Sequence, residues 1–360
     1  MTIPRSPGDC RAVIYGASLG SRGGTGVYLA RLLRGLIEAG EDGVRVAAGG
    51  RLTGLREALS PARAGSSRKV IDEMILAPLA ASRMKGAPVH MPAFTGCAPP
   101  GAASLLTLHD LAFMAHPGWF PPLRRLYYRL VFPRSARSAD IVMADSAFTA
   151  SEAVRLLGLD PVKLRVVPLS SGPGGSGDAE RGRRMLTGGG PYILSVSTIE
   201  PRKNIPALLD AWKGIAAARP GMTMVVAGRW GWGPAETRRR LCSMPGVLWT
   251  GPLGESDLAD AYAGAELLVY PSLYEGFGLP PLEAALEGTP SVLGPAEALR
   301  EVYRDVAAAF CGESPESIRD AVLDALESRR EPSALRDFAR GLSDRAMAGR
   351  VAGIYREAGG

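Results

Sequence analysis

Tyr270-Pro271-Ser272-Leu273-Tyr274-Glu275-Gly276-Phe277-Gly278-Leu279-Pro280-Pro281-Leu282-Glu283 follows the apolar run Leu267-Leu268-Val269. A buried strand ends at Tyr270, a glycine-bearing loop crosses to a new element, and a helix begins near Pro281, where proline suits a first turn. Strand, glycine loop and helix in that order make the repeating unit of a parallel α/β sheet. Gly276 and Gly278 let the backbone approach a ligand closely. Their N–H groups, with the helix N-terminus, form a donor-rich anion site. Glu275 and Glu283, with seven residues between them, sit within it. Carboxylates next to an anion site conflict with it unless the ligand also presents hydroxyls, which carboxylates accept well. A ligand carrying both phosphates and sugar hydroxyls removes the conflict.

Upstream, Ser197-Thr198-Ile199-Glu200-Pro201-Arg202-Lys203-Asn204 stands between the strand Tyr192–Val196 and a helix from Ile205. Two adjacent cations at a strand's carboxyl end can clamp a diphosphate, Arg202 as a planar fork and Lys203 as a point charge. Asn204 is expected to cap the helix.

From these strings outward, two similar layouts read in series. The first opens with the strand Ala12–Tyr15, a glycine-rich loop from Gly16 to Gly26, and a helix over Val27–Ile37 with apolar residues at helical spacing. Further strands are expected at Val44–Ala48, Ser104–Leu108, Ile141–Ala144 and Leu164–Pro168. The second layout has strands at Tyr192–Val196, Thr223–Ala227, Leu248–Thr250 and Leu267–Tyr270, with helices over Ile205–Ala217 and Pro281–Glu287. Near-continuous apolar strands alternating with helices indicate parallel sheets covered on both faces. The expected division is an N-terminal domain over 1–172, a Gly/Ser-rich linker over 173–190 with one short helical turn, a second domain over 191–342, and a C-terminal helix over 343–360 docking on the first domain. Two doubly wound domains imply a cleft, with ligands outside the carboxyl ends of strands.

Bulk properties narrow the rest. The chain of 360 residues is 46% hydrophobic and 22% charged, as globular proteins are. Residues 1–172 hold 21 Lys and Arg against 12 Asp and Glu, a net of +9, and the remainder 21 against 24, a net of −3. The basic half can meet something anionic, such as a membrane surface or a phosphorylated acceptor, or can simply be solvated. Pro122–Arg134 mixes arginines with aromatic and aliphatic residues, either as a membrane-facing stripe or as a core-facing one with arginine stems on its flanks. No recognition motif for nucleic acid accompanies the charge. Cys10, Cys97, Cys242 and Cys311 are scattered, which argues against a disulfide framework or zinc site and for a reducing cytoplasm. No run reaches the ~18 apolar residues of a membrane span, and the first ten residues lack signal-peptide features.

These strings resemble glycosyltransferase family 4, retaining enzymes of the GT-B fold with two Rossmann-like doubly wound domains. Glu275 and Glu283 are similar to its Glu, seven residues, Glu hallmark, and Arg202-Lys203 to its Arg-Lys pair. Ser21-Arg22-Gly23-Gly24-Thr25-Gly26 resembles its glycine loop. Thr107-Leu108-His109-Asp110 resembles its His-Asp strand end, and Ala144-Asp145-Ser146-Ala147-Phe148-Thr149 its Ser-x-Phe-Thr segment. Ala227-Gly228-Arg229-Trp230-Gly231-Trp232 looks like a turn frequent in mannosyl- and rhamnosyltransferase members. The resemblance implies that Arg202 and Lys203 hold the donor diphosphate. Glu275 with the amides of Gly276, Phe277, Gly278 and Leu279 would hold the donor sugar and distal phosphate, and Glu283 the ribose. Gly24 would let the first domain's loop approach the diphosphate, His109 would line the reaction centre, and Glu200, Arg229 and Leu253 would add to the donor pocket. Two departures stand out: Ser197-Thr198 where many relatives carry a basic residue, and Ser343-Asp344 where a Ser-Trp pair is common.

The implied chemistry is hexosyl transfer, mannose-like favoured, from a nucleoside-diphosphate sugar to a hydroxyl of a glycan, a lipid-linked acceptor or a secondary metabolite. The expected donor is a GDP-sugar, with UDP- or dTDP-sugars as alternatives. Aligned amides and cations stabilise the leaving diphosphate without a metal or other cofactor, and no Asp-x-Asp is present. Retention proceeds in this family by front-face attack without a general base, as the domains close about the linker. Rival readings are a sugar-nucleotide epimerase or hydrolase, with only His109-Asp110 as acid/base candidates, and a non-catalytic binding module. A dehydrogenase would need a G-x-G-x-x-G that Gly16 to Gly26 lacks. The expected location is cytoplasmic, with or without peripheral contact at the inner membrane face.

Overall fold

A computed structural model describes residues 11–21, 23–60, 71–93, 96–328 and 331–359. The signal-peptide reading of the first ten residues, Cys10 and Arg22 of the glycine loop therefore lie outside the described residues. The chain divides into two compact units, one of residues 1–115, 122–172 and 342–360, the other of residues 116–121 and 173–341.

The first unit is built on seven strands: β1 Ala12–Tyr15, β2 Val44–Ala48, β3 Arg51–Gly54, β4 Val89–Met91, β5 Ser104–Leu108, β6 Ile141–Ala144 and β7 Leu164–Val166. Their order is β3-β2-β1-β4-β5-β6-β7, parallel except for β2 against β3. β1 and β5 are buried along their whole length because helices cover both faces. The helix Gly24–Glu38 lies along the C-terminal helix Asp344–Gly359. Gly35 permits that approach, since a Cβ there would stand 2.1 Å from the Asp344 carbonyl oxygen. Asp344, where the resemblance expects tryptophan, is buried, with its carboxylate accepting from Ser170 Oγ at 2.7 Å and Arg34 Nε at 3.3 Å.

The second unit carries six parallel strands: β8 Tyr192–Val196, β9 Thr223–Ala227, β10 Val247–Gly251, β11 Leu267–Tyr270, β12 Ser291–Leu293 and β13 Ala309–Phe310. The order β10-β9-β8-β11-β12-β13 reverses direction between β8 and β11. Trp212, Leu208, Val226 and Val269 anchor the core on one face of this sheet.

Two local expectations need correction. Within 173–190 a nine-residue helix, Ala179–Thr187, replaces the single short turn. Asp178 caps it by accepting from the Arg181 amide, and it packs on the helix Glu255–Gly264. Gly182 and Gly264 make that packing close: a Cβ at Gly182 would fall 2.0 Å from the Asp260 carbonyl oxygen, and one at Gly264 2.8 Å from that of Ala179. Asn204 does not cap Ile205–Ala218 with its side chain. It takes a left-handed backbone at φ 53°, and its Nδ2 donates instead to the Glu313 carbonyl at 2.9 Å. A residue in that conformation turns the chain sharply between the Arg202-Lys203 turn and the helix, which aims its side chain away from the helix amides.

Candidate functional site

In the second unit the crossover point between β8 and β11 gathers the two strings picked out above, as expected where an open sheet reverses its strand order. The segment after β8 forms a 3₁₀ turn, Pro201–Lys203. It is pinned to the segment after β11 by the Leu273 amide donating to the Arg202 carbonyl at 2.8 Å. Arg202 Nη1 returns a bond to the Tyr274 carbonyl at 3.1 Å and reaches Glu275 Oε2 at 3.0 Å, while its Nε donates to Glu200 Oε1 at 2.5 Å. Lys203 Nζ donates to Tyr270 Oη at 2.7 Å and to Glu275 Oε1, and Tyr270 Oη donates to the same Glu275 oxygen at 2.8 Å. Glu200, Lys203 and Glu275 are buried, whereas Arg202 keeps partial exposure.

Two acids and two cations balance within this cluster. Burial alone would push the Glu275 carboxyl up, but Arg202 and Lys203 outweigh it and hold the group down at about 2. Burial, followed by the neighbouring Arg202 charge, pulls the Lys203 ammonium below its ordinary value, with Glu275 opposing both. Glu275 thus stays ionised and fixes two cations whose mutual repulsion it offsets.

The loop that carries Glu275 turns directly into the helix Leu279–Glu287, whose N-terminus has no side-chain cap. Gly278 sits at φ 93°, a conformation natural to glycine, and a Cβ there would meet Leu299 Cδ2 at 2.5 Å. Tyr303 Oη donates to the Gly278 carbonyl at 2.5 Å. Phe277 is a core side chain, 6.2 Å edge-on from Tyr303, so only its backbone can serve a ligand. Glu283 falls in the second helical turn, half-buried, accepting from Tyr262 Oη at 2.9 Å. That position is too deep in the helix for simple dipole compensation in the first turn.

The turn after β9 docks on the turn after β8: the Ile199 amide donates to the Arg229 carbonyl at 2.9 Å, and the Gly231 amide to the Ile199 carbonyl at 3.1 Å. Gly228 is required there, because a Cβ would lie 1.9 Å from the Ser197 carbonyl oxygen. Arg229 itself projects exposed, and Leu253 lies half-buried two residues beyond β10, at the same carboxyl edge of the sheet. Ser197 Oγ is buried with no hydrogen-bond partner among the described residues. Trp232 Nε1 donates to the Trp119 carbonyl at 2.6 Å, within the same unit.

Gly24 and His109 belong to the first unit. Gly24 opens the helix after β1, exposed, with open space where a Cβ would stand. The tight glycine of that loop is Gly26, whose Cβ would fall 2.1 Å from the Ser21 carbonyl oxygen. His109 follows β5, with Nδ1 2.8 Å from Asp145 Oδ2 and Nε2 3.2 Å from the Pro92 carbonyl. Burial opposes its charge, but the Asp145 carboxylate and the Pro92 carbonyl prevail and raise its pKa; each ring nitrogen faces an oxygen of one of these two. Behind it runs a buried chain: Tyr28 Oη to Thr107 Oγ1 at 3.1 Å, Thr107 Oγ1 to His90 Nε2 at 2.7 Å, and His90 Nδ1 to Tyr355 Oη at 2.6 Å. Tyr28 presents its ring edge to His109 at 4.9 Å. Sequence reasoning assigned no role to Tyr270, Asp145, Tyr262 or His90. Tyr270 and Asp145 stood inside the quoted strings, at strand ends, and could have been found there; His90, in a three-residue strand, gave no signal.

Comparison with known proteins places the chain. Residues 178–341 match the model of the family described as Glycosyl transferases group 1. The chain is similar to the family-4-like GT-B glycosyltransferases in this stretch and in the relatives it matches. It is 30% identical over 249 residues to the O-antigen chain mannosyltransferase B of Escherichia coli, covering 66% of this chain and 65% of that protein. It is 25% identical to a D-inositol 3-phosphate glycosyltransferase of Acidothermus cellulolyticus, over 94% of this chain and 86% of that one. Against the serotype-specific mannosyltransferase WbdA of Escherichia coli the match spans only 17% of the relative's length. Among solved structures, HepE of Anabaena in complex with UDP-glucose superposes with a TM-score of 0.69 at 16% identity, over 97% of this chain and all of that one. Sucrose-phosphate synthase of Thermosynechococcus elongatus gives 0.67 at 18%, over 96% and 99%. These likenesses establish the GT-B fold.

Proposed function

We propose that this protein is a retaining hexosyltransferase that takes a sugar, mannose for preference, from a nucleoside-diphosphate donor and places it on a hydroxyl of a glycan or lipid-linked acceptor. The observation that carries the reading is the buried Glu200–Arg202–Lys203–Glu275 cluster at the β8/β11 crossover, beside an uncapped helix N-terminus. Arg202 and Lys203 meet the diphosphate, and the amides of Gly276, Phe277, Gly278 and Leu279 take the phosphate nearer the sugar. Glu275, fully ionised, accepts from sugar hydroxyls while keeping the cations in register, and Glu283 accepts from the ribose. Arg229, Leu253 and Glu200 border the nucleotide. From the first unit the reading adds Gly24, with open space where a Cβ would stand, and His109, held by Asp145.

As the glycosidic bond breaks, negative charge grows on the leaving diphosphate. Two fixed cations and aligned amides stabilise it without reorganising, and such preorganised electrostatics usually contribute more to catalysis than any other effect. No metal is needed for that role. Retention follows from attack on the face the diphosphate leaves, the departing oxygen taking the acceptor's proton. The mannosyltransferases among the relatives favour a GDP-mannose-type donor, and the HepE complex keeps UDP-glucose as the alternative.

Incubation with GDP-mannose, UDP-glucose and dTDP-sugars, followed by separation of nucleotide, free sugar and linked product, tests the proposal. Nucleoside diphosphate formed in step with an α-linked product supports it. Free sugar alone, or an inverted linkage, refutes it.

A further inference from the structure

The first unit carries two helices whose polarity is inverted. Pro122–Ser138 buries Phe132, Ser135 and Ala136, and Phe113 packs on Phe132 at 5.0 Å and on Tyr128 at 4.8 Å. At the helical period of 100° per residue these buried positions share one face. On the opposite face stand Leu123, Leu126 and Leu130, 83%, 57% and 51% exposed. A surface helix ordinarily keeps that face polar. Over Ile71–Ala81 the inversion is sharper. Asp72 and Glu73 are buried, Asp72 accepting from the Gly49 amide at 2.9 Å, while Ile71, Met74, Ile75 and Leu79 point into solvent.

The two helices share a neighbour. Cys97 Sγ contacts the Met74 carbonyl at 3.5 Å, and Ser135 Oγ donates to the adjacent Gly96 carbonyl at 3.4 Å. Both helices therefore pack against one short segment after β4, Pro122–Ser138 doing so through its buried face. Charge completes the picture: from Leu111 to Ala139 the sequence has five arginines, all exposed, and no acidic residue. Exposed leucines within an arginine-only border suit an anionic lipid interface, where the apolar side chains enter the acyl boundary and the guanidinium groups meet lipid phosphates.

We propose that these exposed apolar helix faces, that of Pro122–Ser138 foremost, dock the protein on an anionic lipid bilayer. It deepens the reading of a lipid-linked acceptor, but rests on the surface alone, so vesicle binding is read without any transfer assay. Co-sedimentation with phosphatidylcholine vesicles, with and without phosphatidylglycerol, tests it. Partition should be at least about tenfold higher on the anionic vesicles at low salt and should fall as salt rises. Leu123→Ser/Leu126→Ser/Leu130→Ser should lower it by about tenfold or more. Arg134→Gln/Arg137→Gln, on the leucine face, should lower it by about fivefold per charge. The wild-type comparison between the two vesicles stands even if a variant fails to fold. Equal partition on both vesicles overturns the proposal, as does a folded triple-leucine variant that binds like wild type. Sedimentation velocity showing a dimer that the triple variant dissolves would also overturn it, making a second copy of this chain the occupant.

Discussion

Both units gather buried polar side chains at the carboxyl ends of parallel strands, yet they are built in opposite ways. The second unit uses ionised groups in contact: Glu275 lies between Lys203 and Arg202, with Glu200 beyond. The first uses mostly neutral groups in a chain, Tyr355–His90–Thr107–Tyr28, with one hydrogen-bonded His–Asp pair, His109–Asp145, beside it. A charge cluster is suited to binding a polyanion, and an uncharged relay to holding shape. One unit thus commits its buried polar groups to electrostatics and the other to position.

Lys203→Ala strikes the charged unit hardest. It should lower kcat/KM with the nucleotide sugar by about 100- to 1000-fold, the scale of losing a charge stabiliser. It should also cost about 3–5 kcal/mol of stability by leaving Glu275 short of a buried partner. Donor kinetics and urea melts read the two separately. If kcat/KM falls no more than stability accounts for, the cluster is structural.

Next come the two glycine loops. Gly278→Ala should destabilise by about 1–3 kcal/mol, because its backbone is left-handed and Leu299 already fills the space. Gly24→Ala, in open space at a helix start, should leave the melting temperature unchanged or raise stability by about 0.5 kcal/mol. As a donor-binding residue, Gly24 should weaken donor binding on the same substitution without any loss of stability. Unchanged binding would remove Gly24 from the site.

Acid distinguishes the units more gently. Burial lowers the His90 pKa to about 3 from an ordinary 6.5, so below pH 6.5 the unfolded chain binds a proton that the folded one refuses. Stability present above pH 6.5 is lost as pH falls towards 3, at up to about 1.4 kcal/mol per pH unit. Glu275, held at about 2 against an ordinary 4.5, loses its contribution only between about pH 4.5 and 2. His109 runs the other way: its raised pKa contributes stability in full below 6.5, lost as pH rises through the folded value. Chemical denaturation from pH 6.5 to 5 should therefore show a slope that His90→Gln flattens and Glu275→Gln leaves alone. A slope indifferent to His90→Gln would show that the relay does not control acid stability.

Much of this architecture was legible because β1, β2, β5, β6, β8, β9 and β11 are near-continuous apolar runs, buried on both faces and bounded by glycine or polar turns. β4, β12 and β13 were not: they are two or three residues long, and unlike β7, which lies within the longer run Leu164–Pro168, they were not picked out. The antiparallel β3 holds a single edge through pairing with β2 rather than through its own pattern. The helix Ala179–Thr187 was hidden because glycines at 182 and 264, not an apolar stripe, bring it against its neighbour. At the site, Arg202, Lys203 and Glu275 were visible as residue types at strand ends. That they bind one another, with Tyr270 closing the group, depends on the crossover of β8 and β11, which only three-dimensional pairing supplies.

Everything proposed for the donor side depends on Arg202 and Lys203 acting as the diphosphate clamp. Isothermal titration of GDP-mannose and UDP-glucose into the wild-type protein and into Lys203→Arg isolates that role, since arginine keeps the charge against Glu275 but changes its geometry. One nucleotide sugar should bind the wild-type protein, and a folded Lys203→Arg should bind it at least about tenfold more weakly, as expected when a point charge is replaced by a planar fork at a fitted site. Equal affinity in the two proteins, or no nucleotide-sugar binding to the wild type, would contradict the clamp.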